Sequence, residues 1–146
     1  MKLHTFSLWL LILLLGIFTF NLLGLLFDWY WTVWWYDIPM HITGGAWLAL
    51  SILYLERRLP NFHKVFGENR FLLFLMGIAV AAIVWEFFEY AVDVAAGKYA
   101  PRAVPWAVRY DSFADVLNGL LGGAAVLGVL TYLAKGRAKR FPPLKK

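Results

Sequence analysis

The chain has no cysteine, so it cannot carry a disulfide framework, a thiolate metal centre or a cysteine nucleophile. Charge is scarce as well: 16% of the residues are Asp, Glu, Lys or Arg, against about 25% in ordinary soluble domains. With hydrophobic residues at 62%, the chain is far too apolar to be disordered. Nor does it suit water, because 146 residues make one small domain with too little interior to hide that much apolar surface. The ten-residue alternation of a membrane β-barrel is missing, and so are internal repeats and low-complexity segments. In a soluble protein a net charge of +5 suggests nucleic acid. Here the basic residues lie mostly outside the apolar runs, so they speak of membrane orientation and not of a nucleic-acid partner.

What the chain does have is four long apolar runs, at about residues 6–27, 38–55, 71–92 and 113–133. Each reaches, or nearly reaches, the length a helix needs to cross about 30 Å of hydrocarbon. The expected fold is all-α: a polytopic membrane protein of four transmembrane helices in one bundle. A single membrane domain over 1–146 then ends in a basic tail, 134–146. The first run is too long for a signal-peptide core and no small-x-small site follows it, so it reads as a retained span. Asn21 is its one strongly polar interruption and reads as an interhelical hydrogen-bond donor. Between the first two runs, four of the eight tryptophans crowd into residues 28–37, as in an aromatic belt at headgroup level.

Lysine and arginine set the orientation. Lys2, four residues of the second linker (Arg57, Arg58, Lys64, Arg70) and six in the tail fall on one side, eleven in all. The opposite side has three: Lys98, Arg102 and Arg109. The positive-inside rule puts both termini in the cytoplasm. Small residues cluster at Gly44, Gly45 and Ala49 in the second run and from Gly119 to Gly128 in the fourth. Such spacing lets helix backbones approach closely, within one bundle before any dimer.

Seven of the nine acidic residues then fall at or near the non-cytoplasmic end. The second span starts with Asp37 and His41, the third ends with Glu86, Glu89 and Asp93, and the fourth opens with Asp111, Asp115 and Asn118. Spacings of three, four and seven put each set on one helix face. A charge facing lipid at mid-bilayer costs about 2.5–3.5 kcal/mol, so these faces should turn to each other or to a wet cleft. There the acids must share protons, pair with bases or hold a cation. Plainer roles stand beside this one. Asp37 could cap the second span, with Pro39 in its first turn, and Ser112-x-x-Asp115 has the spacing of a capping box. Glu86, Glu89 and Asp93, at a helix C-terminus that disfavours negative charge, could pair with Lys98, Arg102 and Arg109.

The order Tyr36-Asp37-x-x-x-His41 with Gly44-Gly45, then Trp85-Glu86-x-x-Glu89, then Asp111-x-x-x-Asp115-x-x-Asn118-Gly119-x-x-Gly122 resembles the YjdF and VanZ-like small bacterial membrane proteins. The resemblance covers about residues 36–123 and implies a place in the bacterial cytoplasmic (inner) membrane, at the cell envelope. VanZ-like relatives are associated with glycopeptide resistance. Glu89 stands where those proteins tend to have Gln, which favours the YjdF side.

One histidine among carboxylates, without cysteine, suits Mg²⁺, Mn²⁺ or Ca²⁺ better than Zn²⁺. The first expectation is therefore metal-dependent chemistry on an envelope lipid, a phospholipid or a polyprenyl-phosphate headgroup. His41, Glu86, Glu89 and Asp115 form its inner shell, with Asp37, Asp93 and Asp111 as further metal ligands. Lys98, Arg102, Arg109 and Asn118 are the candidates for gripping substrate. The alternative is a headgroup- or partner-binding protein without chemistry. An ion-coupled carrier ranks last, because four spans show no inverted repeat.

Overall fold

The structure, a computed structural model, describes residues 3–59, 70–95 and 105–140; of residues 70, 93, 105–109 and 137–140 it describes only the backbone. The described residues are helical apart from short turns. They form α1 (Leu3–Leu26), the single-turn α2 (Trp29–Thr32), α3 (Asp37–Arg58), α4 (Arg70–Ala95) and α5 (Pro105–Arg140). Four of these are long and apolar enough to cross a membrane: Leu3–Leu26, Asp37–Arg58, Phe71–Val92 and Tyr110–Gly136. In hydrocarbon no water satisfies the backbone, so each span must close its own hydrogen bonds as a helix. Leucine-rich α1 is apolar on every face, and Leu8, Trp9, Ile12, Leu15 and Phe18 all point outward. That surface is stable against lipid and untenable against water. The protein is integral to a membrane.

α3 is the central post. It packs against α1, α4 and α5, and α5 also packs along α4. α1 leans on α3 and α2 and has at most a marginal contact with α4. Trp47 Nε1 pins it to α3 by donating to the Leu10 carbonyl at 2.9 Å, and Phe6 meets Tyr54 edge-on.

Glycine makes the α3–α5 seam tight. A methyl group on Gly45 would run into the Gly119 backbone, and one on Gly122 into the Ile42 carbonyl and the Ala46 amide. The small-residue stripe is thus used inside the bundle. Below it lies the core, where Ala49, Phe74 and Ile78 are enclosed by Leu48, Ile52, Leu53, Leu120, Val126 and Leu127.

Helix α5 starts eight residues before the fourth apolar run, and α4 continues to Ala95. One plainer role, the cap at Ser112 and Asp115, is corrected by these lengths. Ser112 and Asp115 sit well inside α5, where no free backbone amides await a cap. Glu86 and Glu89 lie more than a turn before the end of α4, outside the short reach of its dipole. Asp37 is the first residue of α3, with Tyr36 in the cap position and no side-chain cap bond.

Candidate functional site

The site follows from continuing the core stripe upward. Along α3 the inward face is Ala49, Gly45, His41, Asp37, each one turn apart. Along α4 it is Phe74, Ile78, Ala82, Glu86. Along α5 it is Gly119, then Asp115 and Asp111. The periodicity that buries apolar side chains lower down delivers ionisable ones at the top. One turn below His41 and Asp115, Gly45 and Gly119 bring the two backbones together, and the short Asp115 side chain therefore comes near the imidazole.

His41, 9% exposed, stands at the centre. Its Nε2 lies 3.2 Å from Asp37 Oδ1 and 3.8 Å from Asp115 Oδ1, and its Nδ1 lies 3.8 Å from Glu86 Oε1. Asp115 is 6% exposed. The buried Asp37 Oδ1 and Glu86 Oε1 have no aligned hydrogen-bond donor, so both oxygens keep lone pairs free. Two sets of groups have ligand atoms close enough to share an ion: Asp37, His41 and Asp115, within 4.8 Å of one another, and His41, Glu86 and Glu89, within the same span. Neighbouring ligands on a hard divalent ion stand about 3–3.5 Å apart. The Asp37–His41 separation fits that spacing, and Asp115 needs only a small shift.

The acids line a cleft of about 160 Å³ that reaches from Asp37, Glu86, Asp111 and Asp115 past Glu89 to the aromatic linker. Asn21, Tyr30, Trp31, Trp85 and Ser112 also line it, and sequence reasoning did not place these five in the site. Asn21 Nδ2 donates to the Tyr30 hydroxyl at 2.8 Å, so its bond runs to the linker helix and not to another span. The clue was there: the one strongly polar residue of the first span, nine positions before a tyrosine of the belt. Tyr36 donates its hydroxyl to the Phe20 carbonyl at 2.6 Å, and its ring packs edge-on to Tyr30 at 5.1 Å. Both rings occupy the space that Gly24 leaves open. Burial above all, then the charges of Asp37 and Glu89, hold the Tyr30 phenol well above the usual tyrosine range. Tyr30 therefore remains an O–H donor at the rim of the acid cluster.

Of the remaining candidates, Asp111 lines the cleft from an exposed position, and Asn118 is half-buried on α5 outside the lining residues. The side chains of Asp93 and Arg109 lie outside the described residues, as do Lys98 and Arg102 entirely.

No curated protein and no solved structure matches the chain. A family model described as a predicted membrane protein matches residues 1–136, nearly the whole length. That match agrees with the four lipid-facing helices, and the chain belongs to the DUF2238 family of predicted membrane proteins.

Proposed function

We propose that this protein is a divalent-cation-dependent enzyme acting on a lipid or lipid-linked substrate of the bacterial envelope, at the non-cytoplasmic face of the inner membrane. One observation carries the reading: a nearly buried imidazole faces carboxylates on both of its nitrogens, and those carboxylates come from three spans. Keeping so many acids beside one histidine inside a membrane is costly unless they serve a function. In this reading Nε2 of His41, with Asp37 and Asp115, holds Mg²⁺, Mn²⁺ or Ca²⁺. Glu86, with Oε1 3.8 Å from Nδ1, faces the other ring nitrogen and favours the tautomer that carries its proton there. When bound, such an ion polarises a phosphoryl or ester oxygen and acidifies water. Glu89, on the cleft side of the cluster, is then placed to move the proton. Lys98, Arg102 and Arg109 are assigned to a headgroup phosphate by sequence position. Glu89, where VanZ-like proteins tend to have Gln, favours a YjdF-like member, and the eleven-to-three basic bias favours cytoplasmic termini.

The test is metal content and turnover together. Detergent-purified protein should hold close to one divalent ion per chain, and His41→Ala and Asp115→Asn should lose it. Labelled phospholipid or polyprenyl phosphate should be turned over only without chelator. A bound ion without turnover of either lipid makes the protein a binder; no ion at all ends the metal reading.

A further inference from the structure

The cleft lies between helices that scarcely touch. α1 packs on α3 and α2, α4 packs on α5 and α3, and α1 and α4 share at most a marginal contact. The cavity is lined from both sides of that gap, and its exposed lips include the apolar Leu25 on α1 and Phe88 and Val92 on α4. All three are exposed, and on membrane-spanning helices exposed apolar side chains face acyl chains. Aromatic side chains, Tyr30, Trp31, Trp85 and Tyr90, also line the cavity. Five carboxylates, those of Asp37, Glu86, Glu89, Asp111 and Asp115, line it too, Asp111 from an exposed position, and among the described residues no lysine or arginine does. Asp115, more than nine-tenths buried, lines this space, and among the described residues its only ionic partner is the imidazole 3.8 Å away, too far for a hydrogen bond.

We propose that this cleft admits a membrane lipid with an ammonium headgroup, sideways from the bilayer between α1 and α4. The tail stays on Leu25, Phe88 and Val92 while the ammonium reaches the aromatic and acidic interior. Aromatic faces beside carboxylates are a general recognition device for alkylammonium groups, because the ring quadrupole and the acid charge both attract a cation. With acids and aromatic faces lining the cleft and no basic side chain among the described lining residues, an ammonium meets attraction where an anionic headgroup does not. The inference deepens the proposed function by naming a substrate class and relies on it for turnover; headgroup selection by the cleft does not depend on the ion.

The experiment is native mass spectrometry of the full chain in detergent, with equimolar phosphatidylethanolamine and phosphatidylglycerol of the same acyl composition, alongside metal analysis of the same samples. Wild type should retain phosphatidylethanolamine at least fivefold over phosphatidylglycerol. Soluble phosphoethanolamine at the same concentration should not displace it, since it lacks the tail that the lips hold. Glu89→Gln should cut the preference below twofold. Leu25→Trp, at an exposed lip position that tolerates a large side chain, should lower the occupancy of both lipids severalfold. Metal content should be unchanged in Leu25→Trp. Equal retention of the two lipids, or a preference unaltered by Glu89→Gln, overturns the proposal. Should headgroup preference persist in protein that holds no ion, the enzyme reading falls and this one stands. Should ion be bound without headgroup preference, the reverse holds.

Discussion

His41 is the residue on which the upper end of the bundle depends. Three carboxylates within 3.8 Å of its ring become a buried group of like charges if the imidazole is removed. Breaking a buried ionic arrangement by deleting one partner costs about 3–5 kcal/mol. His41→Ala should therefore lower the thermal midpoint in detergent by many degrees, while Asp28→Asn, in the linker, should barely move it. A midpoint unchanged in His41→Ala would show that the ring has no part in the arrangement. The Asn21–Tyr30 pair makes a finer prediction. Tyr30→Phe strands the Asn21 amide in a half-buried site, at a cost of about 1–3 kcal/mol. Adding Asn21→Leu removes the stranded donor, so the double variant should be more stable than Tyr30→Phe alone in the same melt. Asp28 itself is the chain's one non-glycine residue with positive φ among those described, at 56°, a conformation that Asp and Asn tolerate better than β-branched residues.

Among elements, the α3–α5 seam decides whether the site assembles. Gly45 and Gly122 meet backbone and not flexible side chains, so an added methyl group has nowhere to go unless the helices move apart. Gly45→Ala should cost about 1–3 kcal/mol, the usual range for overpacking. It should also weaken cation binding, because it spreads α3 from α5 one turn below His41 and Asp115. Gly16→Ala, with open space around it, should be neutral or stabilising by up to about 1 kcal/mol. Equal melting of the two variants would mean that the close approach is not required. Four helices were legible from hydropathy, since apolar length alone dictates a span. Their ends were less so. The polar start of α5, with Arg109 and Asp111, lacks the apolar signal of a span yet is helical. That extension is what turned an apparent cap at Ser112 and Asp115 into a mid-helix pair.

At the scale of the whole molecule, a cation that binds only the folded bundle must stabilise it. At a free concentration a hundred times its Kd the gain is about 2.7 kcal/mol. Mn²⁺ or Mg²⁺ should therefore raise the thermal midpoint of wild type and not that of Asp115→Asn, and chelator should reverse the rise. A ladder of reporter fusions tests orientation: fusions after residue 58 and at the C-terminus should report cytoplasm, and fusions in residues 28–36 the opposite side. The aromatic linker belongs to this scale too. Its tryptophans read as a belt, an expectation from composition, but Tyr30 and Trp31 also line the cleft beside acids from three other helices. Only the folding of the linker back against α1, through Tyr36 to Phe20 and Tyr30 to Asn21, puts them there.

Hydropathy and helical spacing were enough to establish the spans, their count and the face on which each acid lies, because those depend on residues close together in the chain. They could rank His41, Glu86 and Asp115 as inward-facing, since lipid rejects charge on any outward face. Which imidazole nitrogen meets which carboxylate, and that α1 stands away from α4 to leave a cleft, were settled by helix packing. Such relations come from how glycine and bulky side chains set the distances between helices, and no periodicity along one strand of sequence encodes the gap between two helices.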